Sequence, residues 1–192
     1  MRHVISALVV NEPGVLASVA GMFAARGFNI DSLVVGRTDD ANVSRMTIVV
    51  DADENTLEQV RKQLAKLVPV TKVKDFKGSS YIERDLALVT ISASPQNRGE
   101  VIEVVNLFRG KVVDVAKESV MVELAGTEQK IEAFVELMKP YGIRELARTG
   151  VIAMSRGAQS SRDAEAPLST APDSGKRKRS LDAPAAVALP PS

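Results

Sequence analysis

The 192-residue chain has no cysteine and no tryptophan, one histidine, and only five phenylalanines and two tyrosines. Each scarcity removes a class of chemistry. Without cysteine there is no disulfide framework, no thiolate nucleophile and no Cys-based metal site. The lone histidine, His3, sits at the extreme N-terminus, which leaves a Ser-His-Asp triad or a multi-histidine metal centre without material. Lys and Arg total 25 against 24 Asp and Glu, a net charge of +1, so no whole-chain field favours nucleic acid or an anionic membrane. No apolar run approaches the roughly 18–20 residues that a membrane span needs. The opening "MRHVISALVVNEPG" has too short an apolar segment for a signal peptide and no small-residue cleavage site. Neither nucleic acid nor membrane is an expected partner, and the expected location is the cytoplasm.

What is present is a repeat. "HVISALVV" is a β-branched run of strand length. Val15, Leu16, Val19, Met22 and Phe23 follow at helical spacing, one apolar face, with Gly27 as a C-terminal cap residue. "FNIDSLVVGRT" and "SRMTIVVD" predict two strands joined through "DDAN". Leu57, Val60, Leu64 and Leu67 mark a second amphipathic helix, and "VTKVKDF" a closing strand. The order is βαββαβ. A second copy runs "DLALVTISAS", "QNRGEVIEVVNLF", "KVVDVAKE", "SVMVELAG", "EQKIEAFVELMK" and "IRELARTGVIAM", in the same order. Pro13 and Pro95 fall between first strand and first helix, Pro69 and Pro140 between second helix and last strand, and Gly27 and Gly110 after the first helix. The predicted class is α+β, two tandem ferredoxin-like sandwiches over residues 1–78 and 79–157. Such sheets leave edges and open faces to be covered, so domain pairing or oligomerisation is expected.

From Ala158 the composition changes. Residues 158–192 hold five of the nine prolines and no aromatic residue, too little apolar surface to offset the entropy of ordering, so a disordered tail is expected there. Its "KRKR" (residues 176–179) is either a polyanion address or a solvated charge run.

The stretch "NEPGVLASVAGMFAARGFNID" (residues 11–31) holds the candidate site. Pro13 suits a helix start, where its missing N–H costs nothing. The first N–H groups, at Gly14, Val15 and the next residue, are then available to a carboxylate, and Gly14 lets a ligand approach the backbone. Asn11 offers donor and acceptor together, as an amino-acid zwitterion requires; alternatively it only caps the helix. Asn29, with Phe28 and Ile30 beside it, is a poor strand former placed two residues into the predicted second strand, and Asp31 shares its face. The second copy has Val112 at the position equivalent to Asn29 and "ASPQNRG" in place of the first loop. One copy therefore carries polar groups that the other lacks.

These residues resemble the ACT domain, a regulatory amino-acid-binding module, and more narrowly the small regulatory subunits of acetolactate synthase (acetohydroxyacid synthase). "NEPGVLASVAGMFAARGFNIDSLVVGRTDD" with "SRMTIVVD" is similar to that family's N-terminal signature, and "FRGKVVDV" and "ARTGVIAMSRG" to its C-terminal markers. The resemblance spans residues 1 to about 157. It implies a non-catalytic subunit that binds and activates a catalytic (large) subunit and makes it sensitive to feedback inhibition by valine, in branched-chain amino acid biosynthesis. Thiamine diphosphate, Mg and FAD are implied on the catalytic subunit and no cofactor on this chain. It also implies a homodimer paired through the ACT domains, with valine between Asn11, Gly14 and Val15 of one protomer and Asn29 and Ile30 of the other. Pro13 and Ala17 fall where other members carry small polar residues.

Three other classes share the topology. An acylphosphatase-like enzyme would need an Arg in the first loop, which "NEPG" lacks. An RNA-binding sheet would need stacking aromatics, which "HVISALVV" and "SRMTIVVD" lack. A stand-alone amino-acid sensor acting on a different partner is the runner-up reading, which co-purification with a catalytic subunit would separate from the regulatory-subunit reading.

Overall fold

The computed structural model describes residues 1–157; the expected tail over 158–192 and its KRKR run lie outside the described residues. The first unit comprises β1 (Arg2–Val10), α1 (Val15–Ala24), β2 (Ser32–Arg37), β3 (Val43–Asp51), α2 (Glu54–Leu64) and β4 (Val70–Asp75). The second comprises β5 (Tyr81–Ser92), α3 (Arg98–Leu107), β6 (Lys111–Ala116), β7 (Ser119–Gly126), α4 (Glu128–Met138), a 3-10 turn (Lys139–Tyr141), β8 (Ile143–Arg148) and β9 (Ile152–Ser155). The sheets are antiparallel, ordered β2-β3-β1-β4 and β6-β7-β5-β8, the ferredoxin-like arrangement twice over.

Alternation explains each layer. Ile5, Ala7 and Val9 of β1 and Met46, Ile48 and Val50 of β3 face one way and are buried against Val15, Val19, Met22 and Phe23 of α1 and Leu57, Val60 and Leu64 of α2. Leu16, expected on that apolar face, is instead 48% exposed. In the second unit Ala87, Val89 and Ile91 and Val120, Val122 and Leu124 are buried with Phe134 and Met138 of α4. Helices α2 and α4 start alike: Asp53 accepts a hydrogen bond from the Thr56 N–H and Thr127 from the Lys130 N–H, each freeing the first turn of an orphan donor. That bond holds the Asp53 carboxyl below the usual carboxylate range. Thr127→Ala is expected to cost about 1 kcal/mol, read as a melting point lower by about 2–4 °C in calorimetry.

Three expectations need correction. The second unit does not end in one strand over "IRELARTGVIAM". Ala87 faces Arg148 while Arg84 faces Ile152, so two residues of β5 oppose three on the partner strand, and a bulge at Thr149–Gly150 divides it into β8 and β9. The positive φ of Gly150 (85°) is what a glycine permits at such a bulge. Next, Gly27 and Gly110 are not equivalent. In the first unit Gly27 takes the left-handed conformation (φ 66°) and the Phe28 N–H closes on the Phe23 carbonyl. In the second unit Arg109 takes it (φ 53°) and the Gly110 N–H closes on Val105. Gly110 is required for space, because a Cβ there would lie 3.1 Å from Val105 Cγ1 and 3.3 Å from Val122 Cγ1. It follows that Asn29 corresponds to Lys111, not Val112. Finally, Asn29 is not within β2. That strand starts at Ser32, so residues 28–31 form a lead-in outside any strand, whereas β6 starts immediately after its helix cap.

Beyond Arg84, β5 and β9 run on as a two-stranded ribbon that lies across the open face of the first sheet. Val4 and Val49 from that face are buried with Phe76, Val151 and Ala153, and Tyr81 packs at their margin with its ring 4.9 Å from that of Phe76. The second unit thus covers the face that the first leaves open. Among the described residues no helix is long and apolar enough to cross a membrane.

Candidate functional site

The chain enters α1 through Pro13 and Gly14, and Gly14 holds the N-cap position with φ 85°, a left-handed conformation that needs no Cβ. No side chain caps this helix and no acidic residue occupies its first turn. The Val15 N–H reaches the Glu12 carbonyl only at 3.5 Å, the edge of a hydrogen bond. Ser18 bonds back to the Gly14 carbonyl through both its N–H and its hydroxyl. Unneutralised N–H groups at an exposed helix tip attract an anion. A cleft of about 410 Å³ lies here, lined by Glu12, Pro13, Gly14, Val15, Ser18 and Val68 among others.

Asn11 does not cap the helix. Its amide donates to the Ala41 carbonyl at 3.0 Å and accepts from the Ser44 hydroxyl at 3.2 Å, while its N–H bonds the Asn42 carbonyl. It ties the loop before α1 to the turn between β2 and β3. The amide keeps one N–H and one lone pair for other partners. Beside it a smaller recess of about 130 Å³ is lined by Val15, Leu16, Val35, Ser44 and Met46.

Asn29 and Ile30 are at the other end of α1. Asn29 is exposed, and its amide donates to Asp31 at 2.9 Å, which orients it. Ile30 is half-buried against the first core, and the Asp31 N–H is anchored on the Val49 carbonyl of β3. The structure therefore brings Asn11, Gly14 and Val15 together and sets Asn29 and Ile30 apart from them. Ten residues of α1 separate the groups, about 15 Å at the α-helical rise. One small amino acid cannot touch both within a single copy. The edge strand β2 beside them is unpaired on its outer side, and Leu16 and Val35 (44% exposed) leave apolar surface along it.

In the second unit an arginine makes the equivalent tie. The Arg98 guanidinium donates to the carbonyls of Ala93, Ala116 and Lys117 at 3.3, 2.9 and 2.6 Å, taking the role that Asn11 has in the first unit. "NRG" in the second loop was the only sequence signal of this difference.

Sequence reasoning missed a further cluster. Asp85 is 2% exposed at the start of the second sheet. One carboxylate oxygen accepts from Arg148 Nε and Nη2 at 2.9 and 2.6 Å, the other from the Thr149 hydroxyl at 3.2 Å and the Gly150 N–H at 3.1 Å. Burial alone would lower the Arg148 pKa, but its bonds to Asp85 and Glu132 hold it above the usual arginine value. Arg2, across the junction, pairs with both Glu83 and Glu128. No local pattern announces Asp85, because its partners are 63–65 residues away.

The chain thus presents two tandem ferredoxin-like units, the first with a helix tip that has neither a side-chain cap nor an acidic residue in its first turn. Residues 5–72 match a model of the AHAS small subunit-like ACT domain and residues 84–157 a model of the small subunit of acetolactate synthase. The chain is 53% identical over 157 residues to a probable acetolactate synthase small subunit of Archaeoglobus fulgidus, covering 82% of this chain and 98% of that one. It is 50% identical over 155 residues to the acetolactate synthase small subunit of Mycolicibacterium smegmatis, covering 81% and 91%. The crystal structure of the small subunit from Thermotoga maritima superposes with a TM-score of 0.76 at 40% identity, over 82% of this chain and 98% of that one. The chain belongs to the acetolactate synthase small-subunit family. Membership implies a catalytic partner subunit.

Proposed function

We propose that this chain binds and activates the catalytic subunit of a thiamine-diphosphate-dependent acetolactate synthase and confers feedback inhibition by valine held between paired ACT domains. The observation that carries the reading is the α1 tip, which has neither a side-chain cap nor an acidic residue in its first turn, whereas α3, also uncapped, has Glu100 there. The helix N–H groups and Gly14 suit the ligand carboxylate, and Asn11 and Asn29 offer amide partners to its charged groups. Ile30 and the apolar surface of Leu16 and Val35 suit an isopropyl group. Because the two halves of the site are at opposite ends of α1, the site is complete only when a second copy places its residues 28–31 against the first copy's tip.

A shared site explains why such a ligand would act as a switch. Moving a two-state equilibrium from 1:99 to 99:1 takes a binding preference of about 5.5 kcal/mol, and a site that exists in only one arrangement of the pair supplies a preference of that kind. Valine and its homologues differ by one methylene, worth about 1–3 kcal/mol, so leucine and isoleucine are expected to bind more weakly but measurably.

Titration calorimetry of the full chain with valine tests the reading. A saturable heat is expected, and Asn29→Ala is expected to weaken it by about 10- to 100-fold, the loss of one hydrogen bond to a charged group. Absence of heat in the unmodified chain, or equal affinity in the variant, refutes the site.

A further inference from the structure

The lead-in that carries Asn29 continues without a break into Ser32, the first residue of β2, and Ser32 touches the second unit directly. The Val151 N–H donates to the Ser32 hydroxyl at 3.3 Å. Gly150 lies flush against the same strand: a Cβ there would stand 2.6 Å from Ser32 Oγ and 2.9 Å from Val34 Cγ2. The bulge has no slack on its other side either. Gly150 N–H is held by Asp85, Thr149 exchanges two backbone-directed bonds with Leu86, and Asp85 is clamped by the Arg148 fork. A shift of the lead-in toward the bulge thus meets backbone, and that backbone is fixed to β5 and β8. Close-packed groups of this kind pass displacement on instead of absorbing it. The neighbouring cavity of about 310 Å³, bordered by Asp31, Ser32, Arg148 and Gly150, leaves room for the lead-in to move along the junction.

We propose that the Thr149–Gly150 bulge is the tie through which displacement of the effector-bearing lead-in reaches the second domain, so that wedging it open separates effector binding from effector response. The proposal rests on the valine reading above for the identity of the effector. The tie itself is a property of the junction.

The test uses the full chain with its catalytic subunit. Gly150→Ala places a methyl group against Ser32 and imposes a side chain on a left-handed φ. Valine affinity by calorimetry is expected to stay within about threefold of the parent, while the valine concentration that inhibits the holoenzyme rises at least tenfold or inhibition disappears. Differential scanning calorimetry of the full chain without its catalytic subunit is expected to show one unfolding transition in the parent and two in the variant. Ser32→Val presses on the same contact from the first unit and serves if Gly150→Ala does not fold. Inhibition at the parental valine concentration in a folded variant overturns the proposal, as does a loss of binding equal to the loss of inhibition, or two transitions in the parent. If the parent binds no valine, the effector reading fails, and the number of unfolding transitions still decides whether the tie exists.

Discussion

Asp85→Ala is expected to lower the stability of the chain by about 3–5 kcal/mol, the cost of breaking a buried ion pair from one side. Equilibrium unfolding in urea would read it. The magnitude follows from how many groups lose their acceptor at once. Arg148 retains only Glu132, at the exposed end of its fork, and the Thr149 hydroxyl and Gly150 N–H lose the oxygen they share. Asp85→Asn keeps the shape and an oxygen for the bulge, so the expected loss is smaller, about 1–3 kcal/mol. Replacing Asp85 and Arg148 together by apolar residues of similar volume often restores a simple ion pair's contribution. Here it should not restore it fully, because the bulge still lacks its acceptor. A double replacement as stable as the parent would show that the pair is interchangeable with ordinary packing.

That contrast marks what the sequence discloses and what it hides. The βαββαβ order is legible because strand alternation and helical spacing are local: Ile5, Ala7 and Val9, or Leu57, Val60 and Leu64, carry their own period. The prolines fix the register of the repeat for the same reason, each constraining its own φ. The Thr149–Gly150 bulge is not legible, since "ARTGVIAM" has the composition of one strand and the extra residue shows only against β5. Asp85 beside Arg84 looks like a charged strand end, yet one is buried and the other exposed. The equivalence of Gly27 with Gly110 fails because two glycines can have different work, one a positive φ and the other a close approach of Val105 and Val122. At the candidate site the residue types were visible and the resemblance already divided them between two protomers, but the sequence did not show that Asn29 precedes β2 or that Asn11 ties two loops together instead of capping α1. The family signature has a physical meaning that its letters do not display: in "ARTG", Arg148, Thr149 and Gly150 all converge on one carboxylate.

Phe23→Ala is the second change expected to have a large effect, and it links core to site. Phe23 is 1% exposed between α1 and the first sheet, and truncating such a ring costs about 3–5 kcal/mol. Its ring meets Phe28 edge-on, centroids 6.4 Å apart, an arrangement worth about 0.5–1.5 kcal/mol beyond burial. Phe28 opens the lead-in, so losing this contact loosens the backbone that presents Asn29. The second unit supplies the control. Phe134, fully buried, meets Phe108 at 5.4 Å in a similar edge-on pair, but Gly110 and β6 follow there with no lead-in. Phe134→Ala is therefore expected to cost as much in denaturant unfolding while leaving valine affinity within about threefold, whereas Phe23→Ala weakens it at least tenfold, an increment of about 1.4 kcal/mol. Equal losses of affinity in both, measured where both remain folded, would mean that binding follows global stability and not the order of residues 28–31. If only Phe23→Ala loses affinity, the first core is what holds the lead-in in place, and the site depends on packing beneath the helix as much as on the polar groups at its two ends.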